Sequence, residues 1–98
     1  MHCSIWRFVG DSEDLEHRYL SMLDEVPEAN HLFHAAAKTP DGLLIFDTCP
    51  SEQAYRTFFG PDGPGMALLA KHGLVATTRE DYPVMRAYAA GSRVEPSS

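Results

Sequence analysis

The sequence has no apolar run near the roughly 20 residues that a bilayer-spanning helix needs, so no membrane partner is expected. It is equally poor in positive charge: 8 Lys and Arg stand among 14 Asp and Glu, for a net charge of −6. Nucleic acid needs a basic face and an anionic membrane surface a basic segment, so both drop out as partners. Cysteine is scarce, with only Cys3 and Cys49. No Cys-x-x-Cys or His-x-x-x-His spacing occurs, which argues against a structural metal site. No glycine-rich phosphate, nucleotide or flavin signature is present, and no cofactor is expected. The start, Met1-His2-Cys3-Ser4-Ile5-Trp6-Arg7, has no basic region leading into an apolar one and reads as cytoplasmic. In that compartment two thiols are expected to remain reduced and buried.

What is present is an ordinary globular composition, 44% apolar and 22% charged over 98 residues, enough for one domain. The most structured stretch runs from Lys38 to Phe59. Thr39-Pro40-Asp41-Gly42 is turn chemistry: Pro40 presets φ, Asp41 tolerates the bridge region, and Gly42 can take a positive φ. Leu43 to Thr48 is a short apolar run bounded by that turn and Pro50, which predicts a strand. Ser51 then caps a helix with Glu52 in its first turn, where the helix dipole favours an acid.

The other elements follow. Met1 to Val9 is a strand rich in β-formers, ended by Gly10. Asp11 or Ser12 caps a helix whose Leu15, Tyr19, Met22, Leu23 and Val26 fall on one stripe, and Pro27 stops it. His31 to Lys38 is the second strand, an antiparallel neighbour of the third because the turn between them is short. The second helix turns Ala54, Tyr55, Phe58 and Phe59 inward. It is broken by Gly60-Pro61-Asp62-Gly63-Pro64-Gly65, a lid or an exposed insertion. Met66 to His72 is a further short helix with Gly73 at C′. Thr77 to Asp81 reads as a polar connector and Pro83 to Ala89 as the last strand. Residues 1–90 form the domain, and Gly91 to Ser98 lack a core pattern, as a disordered tail would.

This is β-α-β-β-α-β, an α+β, ferredoxin-like order with both helices on one face of an antiparallel sheet. Strands two and three are apolar on both faces, and helices cover only one. The simplest cover for the other is a second copy, so a homodimer is expected.

One acid, Asp47, sits inside the apolar third strand and shares a face with Ile45 and Cys49. A two-residue loop places His34 opposite it; a three-residue loop with a bulge at Gly42 places Ala35 there. In the first case the carboxylate would fix the imidazole tautomer and His34 would serve as general base. His2 and His31, near strand ends, read as partly exposed groups; His17 reads as solvated and His72 as a helix-end residue. The start of strand one lies beside the end of strand three, which brings Cys3 and Cys49 within disulfide reach if they share a face.

The join Asp47-Thr48-Cys49-Pro50-Ser51-Glu52-Gln53-Ala54-Tyr55 and the final Tyr82-Pro83-Val84 resemble the dimeric α/β-barrel superfamily, in its branch of small antibiotic-biosynthesis-monooxygenase-like proteins. The resemblance covers the element order of residues 1 to about 90. It implies dimerisation as an α/β barrel, Asp47 turned toward the helices, and a small apolar pocket between sheet and helices. Cys49 stands where many members have Trp, Pro50 replaces an acid, and no His lies between Ser51 and Gly65, all of which point away from haem degradation. Activities in the superfamily include cofactor-free oxidation, cyclisation and isomerisation. The leading expectation is therefore a cofactor-independent enzyme on a small apolar, aromatic or polyketide-like metabolite. His34 and Asp47 would be catalytic, and Trp6, Ile45, Cys49, Tyr55 and Phe58 would bind substrate. The alternatives are a non-catalytic small-ligand-binding or accessory protein, and a haem-binding protein with a His axial ligand.

Overall fold

A computed structural model describes residues 1–26 and 33–95. Six strands and three helices lie among them: β1 (His2–Val9), α1 (Ser12–Leu23), β2 (His34–Thr39), β3 (Gly42–Cys49), α2 (Glu52–Phe58), α3 (Pro64–Lys71), β4 (Thr78–Pro83), β5 (Ala87–Ala89) and β6 (Ser92–Val94). The main sheet runs β2-β3-β1-β4, and every pairing in it is antiparallel. The chain is thus α+β with a four-stranded antiparallel sheet and three helices, an arrangement compatible with a ferredoxin-like fold. No helix among the described residues is long and apolar enough to cross a membrane.

The local signals place the helices. Asp11 caps α1 by accepting from the Asp14 amide at 3.1 Å, and Ser51 caps α2 by accepting from the Ala54 amide at 3.0 Å. On α1 the apolar stripe buries Leu15, Tyr19 and Met22. Gly73, just past α3, takes φ +68, the left-handed conformation that a helix C′ favours. α1 ends at Leu23 with Asp24 as its C-cap, short of Val26 as expected, whereas Pro27 itself and the expected strand start at His31 lie outside the described residues.

Thr39 pairs with Gly42, so the β2–β3 loop has two residues, and His34 stands opposite Asp47. Gly42 does not use a positive φ there. It is needed for close approach instead: a Cβ at Gly42 would lie 1.7 Å from the Phe8 carbonyl oxygen.

Two expectations are corrected on the C-terminal side. Thr78–Pro83, which takes in most of the Thr77–Asp81 stretch read as a connector, is the edge strand β4 beside β1. Its polar run hides a strand because pairing to β1 supplies the backbone hydrogen bonds, while charged side chains suit an edge. The expected last strand breaks after Pro83, and Ala87–Ala89 pairs instead with Ser92–Val94, inside the expected tail. The turn is Ala90-Gly91 with φ of +51 and +79, the doubly left-handed geometry of a tight hairpin. Ala90 is a poor predictor of such a turn, which is why the hairpin left no sequence signal.

The two faces of the sheet differ. His2, Ser4, Trp6 and Phe8 of β1 point toward the helices and are buried, as are Leu43 and Ile45 of β3. Cys3, Ile5, Leu44 and Phe46 alternate onto the opposite face and are half-buried. On that second face a pocket of about 230 Å³ lies between the sheet, at Phe46 and Thr48, and the hairpin, at Ala87 and Val94.

Candidate functional site

The helix-covered face carries a cleft of about 470 Å³. Its walls are Met22, Leu23 and Val26 from α1 and the bend after it, Ala54, Phe58 and Phe59 from α2 and its end, and Leu68 and Leu69 from α3. The β2–β3 edge supplies the polar groups: His34, Asp47, Thr48 and Cys49. Gly65 completes the wall beside the Phe58 ring, where a Cβ would come within 2.6 Å of ring carbons.

The two-residue turn makes the dyad. His34 Nδ1 and Asp47 Oδ1 are 2.9 Å apart, and both side chains are less than one-fifth exposed, at 18% and 16%. The other imidazole nitrogen, Nε2, is hydrogen-bonded to the Tyr19 hydroxyl, and the two rings are nearly coplanar, within 8°. A neutral imidazole satisfies both contacts: Nδ1–H donates to Asp47, and Nε2 accepts the Tyr19 O–H. The chain of groups is therefore Tyr19–His34–Asp47. Tyr19 went unnoticed in the sequence because its position in the α1 stripe reads as core. Its 3% exposure shows that it is core, with its hydroxyl used at the site.

Cys49 borders the same carboxylate. Burial first, and then the Asp47 charge, push its thiol up to about 11, so it stays protonated at neutral pH and is no nucleophile there. Cys3 pairs with Thr48 and Cys49 with His2, one residue out of step, so the two cysteines face opposite sides of the sheet. Both are free thiols, and the expected proximity fails for this reason of register.

Of the residues expected to bind substrate, Cys49 and Phe58 line the cleft, whereas Trp6, Ile45 and Tyr55 do not. Those three are core, at 3%, 5% and 0% exposure. Arg79 explains the loss of two of them: its guanidinium lies 4.5 Å from the Trp6 ring centre, and its Nε donates to the Tyr55 hydroxyl at 2.7 Å.

A second histidine–aspartate pair lies on the same face. His2 Nε2 meets Asp81 Oδ1 at 2.7 Å, and Arg56 donates to both Asp81 oxygens, at 2.7 and 3.0 Å. The His2 hydrogen bond, followed by the Arg56 guanidinium, holds the Asp81 carboxyl below the usual range against its partial burial. His2 is only 4% exposed, contrary to the surface role expected of it. The reason is that Tyr55 packs against its ring, centres 5.3 Å apart. His17 is exposed on α1, as expected, and His72 caps α3, bonded to Glu25. His31 lies outside the described residues.

For haem, an axial imidazole from His34 would have to give up its bond to Tyr19 or Asp47, and His2 is buried against the Tyr55 ring. Neither histidine is presented as a ready axial ligand. No family model matches the chain, and no curated protein or solved structure matches it either.

Proposed function

We propose that the cleft binds a small, mostly apolar metabolite and moves a proton to or from it, as a cofactor-independent enzyme of the oxidising, cyclising or isomerising kind. The supporting observation is the His34–Asp47 hydrogen bond of 2.9 Å at the wall of an apolar cleft. An oriented imidazole beside a carboxylate can accept a proton from a phenol, an enol or an activated C–H. Tyr19 on Nε2 either turns aside for substrate or carries the proton through its own hydroxyl. Membership of the dimeric α/β-barrel superfamily is part of the same proposal, and two free thiols fit a reducing cytoplasm.

The test is deuterium exchange in D₂O over a panel of phenols and enolisable dicarbonyl compounds, followed by NMR. At least one compound is expected to exchange faster than in buffer, and His34→Ala is expected to abolish the gain. Binding without any accelerated exchange would favour the non-catalytic ligand-binding alternative. Tyr19 on Nε2 and the protonated Cys49 thiol are what speak for that second reading.

The sheet face away from the helices, which the hairpin covers in part, belongs to the proposal as a homodimer surface. Ile5 and Phe46 occupy neighbouring positions on it, with Ala35 beside Phe46 on β2. Sedimentation velocity should give twice the chain mass, and Phe46→Glu should give a monomer. A wild-type monomer at micromolar concentration would remove the dimer from the proposal.

A further inference from the structure

We infer that the ligand of the cleft carries a hydrogen-bond-donating head group, a protonated amine above all, seated on the second carboxylate oxygen of Asp47. The inference rests on the proposal that the cleft is a ligand site and adds the chemistry of what enters it. Asp47 Oδ1 is taken by His34, whereas Oδ2 accepts no hydrogen bond among the described residues. Every deeply buried side-chain nitrogen or oxygen among those residues has a partner, so Oδ2 is not sealed in, and the cleft that Asp47 lines is where a ligand would reach it. While Tyr19 stays on Nε2, Asp47 and Tyr19 engage both nitrogens of His34, so Oδ2 is the acceptor the dyad offers in that arrangement.

Charge decides the class. Among the described residues no Lys or Arg lines the cleft, and Asp47 is its one carboxylate. An anionic ligand would meet like charge in an apolar surrounding, which is strongly unfavourable. A cation would meet an acceptor with an open lone pair, and the charge-assisted bond is the strong kind. The rise of the neighbouring Cys49 thiol, caused in part by Asp47, reports the same negative field at this end of the cleft.

The molecule also contains its own example of the completed site. At His2–Asp81 the histidine takes one side of the carboxylate and the Arg56 guanidinium spans both oxygens. At His34–Asp47 the histidine is in place, and no described lining residue supplies the cation. A ligand ammonium would fill the part that Arg56 plays, with its apolar body against Phe58 and Leu68. The net charge of −6 draws cations toward the protein in general.

The experiment compares three probes with one carbon skeleton, phenylpropylamine, phenylpropanol and phenylpropionate, by titration of amide NMR signals near neutral pH. The amine is expected to bind about tenfold more tightly than the alcohol, an ordinary gain for one charge-assisted bond, with propionate weakest. Asp47→Asn, which keeps an acceptor for His34, should bring amine and alcohol to within about twofold. His34→Gln should leave the amine preference standing. An alcohol or propionate that binds as well as the amine overturns the inference and spares the cleft. So does a preference that survives Asp47→Asn and disappears in His34→Gln. If no probe shifts the cleft amides, the ligand-site proposal falls with it. Should Asp47→Asn not fold, the wild-type ranking decides alone: amine first supports the inference, and any other order overturns it.

Discussion

His34–Asp47 and His2–Asp81 are the same pair of side chains on the same face of one sheet, and they differ in what surrounds them. At Asp81 the Arg56 guanidinium saturates the carboxylate, and Tyr55 closes over His2. At Asp47, which lines a cleft, one oxygen accepts no hydrogen bond among the described residues, and the imidazole is held on its far side by a tyrosine hydroxyl. The first arrangement spends its hydrogen bonds on the fold. The second keeps one acceptor for something else. A histidine–aspartate contact is therefore uninformative about function until its remaining lone pairs are traced.

The largest effect expected from breaking this contrast is at Tyr55, which is wholly buried and forms the lid of the closed pair. Tyr55→Ala should cost about 3–5 kcal/mol in urea unfolding, the usual range for deleting a buried aromatic ring. Tyr19→Phe, at the open pair, keeps its ring and removes one hydroxyl, so about 1 kcal/mol is expected. Similar losses for the two would mean that both pairs serve the fold alike.

The carboxylates should separate next. Asp81→Asn strips the charge from a saturated site and should cost about 1–2 kcal/mol, whereas Asp47→Asn should cost less. The pH dependence follows from Asp81, whose folded pKa is depressed. Above the ordinary carboxylate range, near about 4, the native state keeps the charge and its full stabilisation. That stabilisation is lost as pH falls through the lowered folded value, because there the unfolded chain already binds the proton. Urea midpoints measured from pH 6 downward should fall in the wild type and fall less in Asp81→Asn. An unchanged profile in the variant would show that Asp81 is not the group responsible.

Cys49 offers a smaller, chemical reading of the Asp47 field. In a Cys3→Ser background, a thiol raised to about 11 leaves roughly one part in a thousand as thiolate near pH 8, against about a quarter for an ordinary thiol. Alkylation by iodoacetamide should therefore be more than tenfold slower than for a free thiol, and Asp47→Asn should speed it. A fast reaction in the wild type would show that the cleft end is wetter or less negative than the geometry implies.

The smallest effect belongs to the C-terminal hairpin. Ala90 holds a left-handed conformation that costs an alanine about 1 kcal/mol. Ala90→Asn should stabilise the chain by about 0.5 kcal/mol in thermal unfolding, since asparagine tolerates that conformation. A loss of stability would mean that the methyl group packs where no contact is apparent.

What the sequence determined by itself was local. Asp11 and Ser51 as caps, the Leu15–Tyr19–Met22 stripe, the Pro40-Asp41 turn and the alternation that sets Asp47 beside Cys49 are set by residues within a few positions of one another. Even so, the sequence left two loop lengths open, and only the observed pairing of Thr39 with Gly42 chose between them. Tertiary structure decided everything that needed partners from distant parts of the chain. Tyr19 reaches His34 across 15 positions, and His2 reaches Asp81 across 79. The strand at Thr78–Pro83 exists because β1 pairs with it, despite a run of polar residues. Trp6 and Tyr55 were withdrawn from the cleft by Arg79, an edge-strand residue that sequence spacing does not connect to either. Periodicity and caps act over one or two turns of chain, so they can be read along it. The partner that saturates a carboxylate, or leaves it open, is chosen by packing in three dimensions.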